Sequence, residues 1–151
     1  MSFDLNFNLI ADYYKEVINY CGKYSEIFSI ITMLKKPYSK IPPNCKHSAV
    51  LEPFHPYLIK QIIGVLEWPG TVIKGTNKMI LNMYSCCRDT RTLLAELPNM
   101  FFPLENNLPE DICFYRDKKP WFVTISHEKI AYLTSSTKQD DLFFRDFIRK
   151  Y

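Results

Sequence analysis

The chain has 151 residues, 47% of them apolar and 23% charged, with eleven Phe, ten Tyr and only four Gly. That is the size and composition of one ordinary domain with a core of large rings, and it excludes wholesale disorder. The net charge of +3, from 19 basic and 16 acidic residues, is too small and too evenly spread to point to nucleic acid.

The five cysteines are Cys21, Cys45, Cys86, Cys87 and Cys113. An odd count with two neighbours adjacent fits reduced thiols and not a disulfide scaffold. Asp4 and Asp12 break the apolar run a secretory leader needs, and no stretch approaches the roughly 18–20 apolar residues of a membrane span. The sequence therefore predicts a soluble cytoplasmic protein, with residues 1–151 as a single globular domain.

Leu9, Ile10, Tyr13, Tyr14, Val17, Ile18 and Cys21 fall in pairs every four positions, the stripe of an amphipathic helix. Asp4 or Ser2 would cap its start and Gly22 would end it. Ser25 then caps an expected second helix, with Ile27, Ile30, Ile31 and Leu34 inward and Pro37 as its stop. Residues 4–36 thus read as a helical hairpin or one bent helix. Residues 37–56 contain five of the ten prolines and read as an extended connector packed on the domain, with at most a short strand at Ser48–Leu51.

Over residues 57–67 the pairing of Leu58, Ile59, Ile62, Ile63 and Leu66 favours a helix, although the Ile, Val and Trp content also suits a strand. Thr71–Lys74 and Lys78–Tyr84 read as a hairpin around a Gly75-Thr76-Asn77 turn. Ser85 caps an expected helix over Cys86–Leu97, and Pro98 stops it. From Asn99 to Glu110 the chain reads as a loop.

Residues 108–133 are the clearest part of the chain. A strand around Ile112 and Phe114, a charged turn at Arg116–Lys119, an alternating strand from Trp121 to Ser126, a polar turn at His127–Lys129 and a return at Ile130–Leu133 make a three-stranded antiparallel meander. Ser136 and Gln139 have capping-box spacing ahead of a terminal helix with Leu142, Phe143, Phe144, Phe147 and Ile148 on one face. The expected fold is α+β: an antiparallel sheet of four to six strands packed against N-terminal and C-terminal helices.

Four constellations are candidates for function. Cys45, His47 and His55 offer metal-ligand chemistry, with Cys86 and Cys87 to complete a site, but their spacing matches no zinc motif. One of Cys86, Cys87 or Cys113 with His127 as base and Glu128 or Asp111 as orienter would make a thiol nucleophile. Glu110 and Asp111 with Glu128 would serve acid–base work. Trp121, Trp68, Tyr57, Phe54 and His127 suit a recognition surface, since Tyr and Trp combine contact area with a polar tip.

No phosphate loop, nucleophile elbow, zincin or dinucleotide motif occurs. The reading is a non-enzymatic binder of another protein, of the inhibitor or immunity kind, with no cofactor and no membrane and with a homodimer as one form. The alternatives are a small enzyme using a Cys or carboxylate with His127, and a small-ligand module with an aromatic pocket between the meander and the terminal helix.

Overall fold

The computed structural model describes residues 3–33, 49–75, 79–97 and 109–151. A short strand β1 (Phe3–Leu5) leads into helices α1 (Phe7–Asp12) and α2 (Tyr14–Lys23), then strand β2 (Ile27–Met33). A 3₁₀ segment (Ala49–Tyr57) runs into β3 (Leu58–Ile63), followed by β4 (Glu67–Trp68), β5 (Thr71–Val72) and β6 (Met79–Ser85). Helix α3 (Arg88–Glu96), the meander β7 (Glu110–Arg116), β8 (Lys119–Ile125) and β9 (Ile130–Leu133), and helix α4 (Lys138–Lys150) complete the chain.

The fold is α+β, as the pattern predicts. Seven strands, against the four to six expected, form one antiparallel sheet in the order β1-β9-β8-β7-β2-β6-β3, and β4–β5 is a separate hairpin. All four helices join one cluster against one face of the sheet, where Phe28, Ile30, Tyr84, Phe114, Phe122 and Leu133 meet Val17, Ile18, Leu94, Phe144 and Phe147. The other face carries two smaller clusters, around Ile31, Leu81 and Trp68 and around Cys113, Tyr115 and Val123. Among the described residues no helix residue enters either one.

Several expectations are corrected. Residues 27–33 are not a helix but the strand next to the middle of the sheet, buried on both faces. A run apolar on both sides has no period of two, so its Ile residues mimic helical spacing. Residues 58–63 likewise form a strand, at the sheet's edge, where the Ile content outweighs the helical pairing. Gly22 lies inside α2, where an added Cβ would sit 3.2 Å from Arg91 Cγ of α3. The α1 cap is Asn6, not Asp4 or Ser2, and Asp4 belongs to β1.

Thr71-Val72 pairs backward with Glu67-Trp68 through a Pro69-Gly70 turn, while β6 pairs with β2 and β3, so the expected 71–84 hairpin does not form. Ser85 ends β6, and Cys87 is the N-cap of α3. The capping box of α4 is Thr137 with Asp140, one residue beyond Ser136 and Gln139. Ala49–Tyr57 is 3₁₀ where at most a short strand was expected; residues 37–48, the turn at 76–77 and most of the 99–110 loop lie outside the described residues.

Candidate functional site

A bulge in β7 shapes the face of the sheet that no described helix covers. In β7, Ser29 pairs with Cys113 but Ile31 pairs with Glu110, so Asp111 and Ile112 together oppose Ile30. Asp111 takes φ 55° there, the left-handed conformation that Asp tolerates better than most residues. An inserted residue breaks the alternation of a strand. Glu110 and Asp111, neighbours in sequence, therefore line the same cleft.

The β4–β5 hairpin closes that cleft from above. Its turn has Pro69 followed by Gly70 at φ +87°, the type II arrangement. Gly70 also seats closely on the sheet, since a Cβ would lie 3.0 Å from both Val123 Cγ1 and Ile125 Cγ1. The space left between hairpin and sheet is about 400 Å³. Met33, Met79, Val72, Ile73 and Ile125 supply carbon walls, and Trp68, Thr71, Glu110, Asp111, His127 and Glu128 supply polar groups.

Asp111 is buried and fully used. Its Oδ1 accepts from the Ser126 amide at 2.7 Å, its Oδ2 accepts from Trp68 Nε1 at 3.0 Å, and its own amide donates to Ser126 Oγ at 3.1 Å. It thus ties the hairpin to the 3₁₀ turn Ser126–Glu128 that carries His127. Glu110 is different. Its Oε2 lies 2.8 Å from Nε2 of His127, whose side chain is 70% exposed. Burial, and then the Asp111 charge, push the Glu110 carboxyl above the usual carboxylate range, against the lowering pull of His127. Thr71 Oγ1 is buried and has no hydrogen-bond partner among the described residues.

This arrangement can hold a cationic group, and it can pass a proton between Glu110 and His127. It does not bring His127 to a thiol. Cys113 is buried one bulge away, and desolvation drives its thiol far above the ordinary range. Cys86 and Cys87 follow the far end of β6, where Ser85 pairs with Ile27, while Met79 at the near end pairs with Met33. Six residues of strand separate those ends by roughly 20 Å. Burial pushes the Cys86 thiol up to about 12. At Cys87 burial also raises the pKa, but hydrogen bonds with Thr90 outweigh it and the thiol ends below its ordinary value.

Of the expected recognition residues, the cleft gathers Trp68 and His127. Trp121 and Phe54 are wholly buried core residues with no surface to present to a partner. Trp121 Nε1 donates to Ser25 Oγ at 2.8 Å. Tyr57 donates to Asp89 Oδ2 at 3.0 Å, away from the cleft. Cys45 and His47 lie outside the described residues, and His55 is exposed on the 3₁₀ segment. Among the described residues no group of three His, Cys, Asp or Glu is placed to hold a metal ion, and no helix is long and apolar enough to cross a membrane.

The sequence reading missed the hairpin side chains Thr71 and Val72 and the floor residues Met33 and Met79. The Pro69-Gly70 pair between Trp68 and Thr71 was the available signal, because a type II turn there makes the two flanks face each other. No protein-family model, no curated protein and no solved structure matches the chain.

Proposed function

We propose that this protein is a non-enzymatic binder of another protein, and that it grips a lysine or arginine of its partner in the cleft beneath the β4–β5 hairpin. The observation that carries this reading is the Glu110 carboxylate at the wall of a cleft with carbon sides, matched among the described residues only by the exposed, displaceable imidazole of His127. His127 then occupies the place of the partner's cation. A guest guanidinium or ammonium would meet Glu110 and Glu128, and its methylenes would lie along Met33, Met79 and Val72.

The surroundings support the same reading. Val72, at 72% exposure, lines the hairpin side of the cleft, and Leu66, at 42%, sits at the base of the hairpin where its carbonyl accepts from the Ile73 amide. Apolar side chains left in water beside convergent polar groups are the composition of an interface core and its rim. The compartment this reading assumes is the cytoplasm, since Cys21, Cys86, Cys87 and Cys113 are all free thiols. Cell fractionation placing the protein outside the cytoplasm would remove that assumption.

The test is affinity capture from the source cells with wild-type protein, Glu110→Gln and Val72→Asp. The expected result is one stoichiometric partner with the wild type, and at least about a tenfold loss with each variant, because both remove a contact at the centre of the surface. A partner retained in equal yield by both variants, or no stoichiometric partner at all, overturns the proposal.

A further inference from the structure

A second cavity lies on the opposite side of the sheet, between the edge strand β1 and helix α4, and its volume is about 490 Å³. Its floor is carbon: Phe3, Leu133, Phe144 and Ile148. Phe3 pairs with Leu133 across β1 and β9, so both point toward α4, yet Phe3 is 50% exposed and Ile148 46% exposed. Phe3 and Ile148 thus open the groove to water, above the buried Leu133 and Phe144.

The rim is charged with a direction. Asp141, Arg145 and Arg149 stand on successive turns of α4, so they share one helix face and span about 12 Å along it. Asp141 marks one end and Arg149 the other, with Arg145 one turn inward from Arg149. Arg149 makes no hydrogen bond or ion pair among the described residues, and Arg145 meets only its exposed neighbour Asp146, at 3.5 Å. An apolar trough with one available guanidinium at its end and a second one turn inward complements a molecule with an apolar tail and an anionic head. Arginine pairs with carboxylate through two parallel hydrogen bonds.

We infer that the β1–α4 groove binds a medium-chain fatty acid, its alkyl chain along Phe3, Leu133, Phe144 and Ile148 and its carboxylate on Arg145 and Arg149. The volume falls in the range of small-molecule sites. The repulsive Asp141 at the tail end fixes the orientation. This site is independent of the acidic cleft, because it uses the other face of the sheet and none of the same residues.

Calorimetric titration with dodecanoate below its self-assembly concentration tests the inference, with dodecyltrimethylammonium as the matched tail bearing a cation. The wild type should bind one dodecanoate per chain saturably and should not bind the ammonium compound. The exposed double variant Arg145→Glu, Arg149→Glu should keep the wild-type circular dichroism and lose at least about tenfold in dodecanoate affinity. Glu110→Gln should bind as the wild type does, which separates this inference from the reading of the cleft. No saturable binding, equal binding of both head groups, or unchanged affinity in the double variant would each overturn it. So would a protein partner lost on Ile148→Asp when the wild type takes up no dodecanoate.

Discussion

Arg116 grips Asp140 with two nitrogens, Nη1 at 2.9 Å from Oδ2 and Nη2 at 3.2 Å from Oδ1. The same guanidinium lies 3.9 Å from the centre of the Trp121 ring, and its Nε donates to the Tyr24 carbonyl at 3.0 Å. Asp140 also accepts from Tyr20 Oη at 2.8 Å and from the Thr137 amide at 2.9 Å. One ion pair therefore joins the end of α2, the β7–β8 turn and the start of α4.

Burial by itself would raise the Asp140 carboxyl, but the Arg116, Thr137 and Tyr20 donors outweigh it and hold the pKa below the usual range. A carboxyl depressed in the folded state adds stability above its unfolded value, near about 4, and loses it as the pH falls through the folded value. Asp140→Asn should cost about 2–3 kcal/mol at pH 7, because it leaves a largely buried guanidinium without its anion. Urea denaturation at pH 7 and at pH 3 checks this. The gap between wild type and variant should shrink at the lower pH, and a constant gap would count against the ion pair.

At the cleft, Asp111 supports both Trp68 and the turn before His127. Asp111→Ala removes the acceptor for two buried N–H groups and leaves a Cβ residue at φ 55° without the local bonds that Asp supplied. The expected loss is about 3 kcal/mol. Asp111→Asn keeps one acceptor and tolerates the same φ, so it should lose about half as much. The indole N–H resonance of Trp68 should move in both variants. An Asn variant as destabilised as the Ala variant would rule out backbone conformation as part of the effect.

Much of the meander was legible in the sequence because its turns are short and polar and its strands are rich in aromatic and β-branched residues. The bulges in β7 and β8 were not. Phe114 pairs with Phe122 and Tyr115 with Pro120, so Trp121 is an inserted residue, and Trp121 and Phe122 both enter the helix-side core. Strict alternation places those rings on opposite faces, and in the same way it places Glu110 and Asp111 apart. A bulge depends on how the partner strand pairs, which local periodicity does not encode. Strand β2 was hidden for a different reason: burial on both faces erases the period by which strands are recognised. The cleft itself needed the hairpin, and only Pro69-Gly70 announced it.

Gly70→Ala should show how closely the hairpin is seated. The new Cβ would need a left-handed φ and would meet two β8 side chains at 3.0 Å. Strain and overpacking together should cost about 2 kcal/mol. Hydrogen exchange should rise at the amide of Ile73, which donates to the Leu66 carbonyl across the hairpin at 2.9 Å. If stability fell without faster exchange there, the hairpin would not be the element displaced.

Glu110 should respond to pH in the direction opposite to Asp140. Burial first, and the neighbouring Asp111 second, raise its carboxyl in the folded protein, with His127 only partly offsetting them. A raised carboxyl pKa means that the charged form is disfavoured by folding. The group's contribution is complete below its unfolded value and is lost as the pH rises through the folded one. Glu110→Gln should therefore match the wild type near pH 4 and be slightly more stable at pH 7, by up to about 1 kcal/mol after the loss of the exposed His127 contact. Thermal unfolding across that interval measures it. A carboxylate that weakens the fold where it is charged, and that loses a partner protein when neutralised, is spent on binding. A Glu110→Gln variant less stable at pH 7 than at pH 4, relative to wild type, would instead make the Glu110–His127 contact a structural clasp.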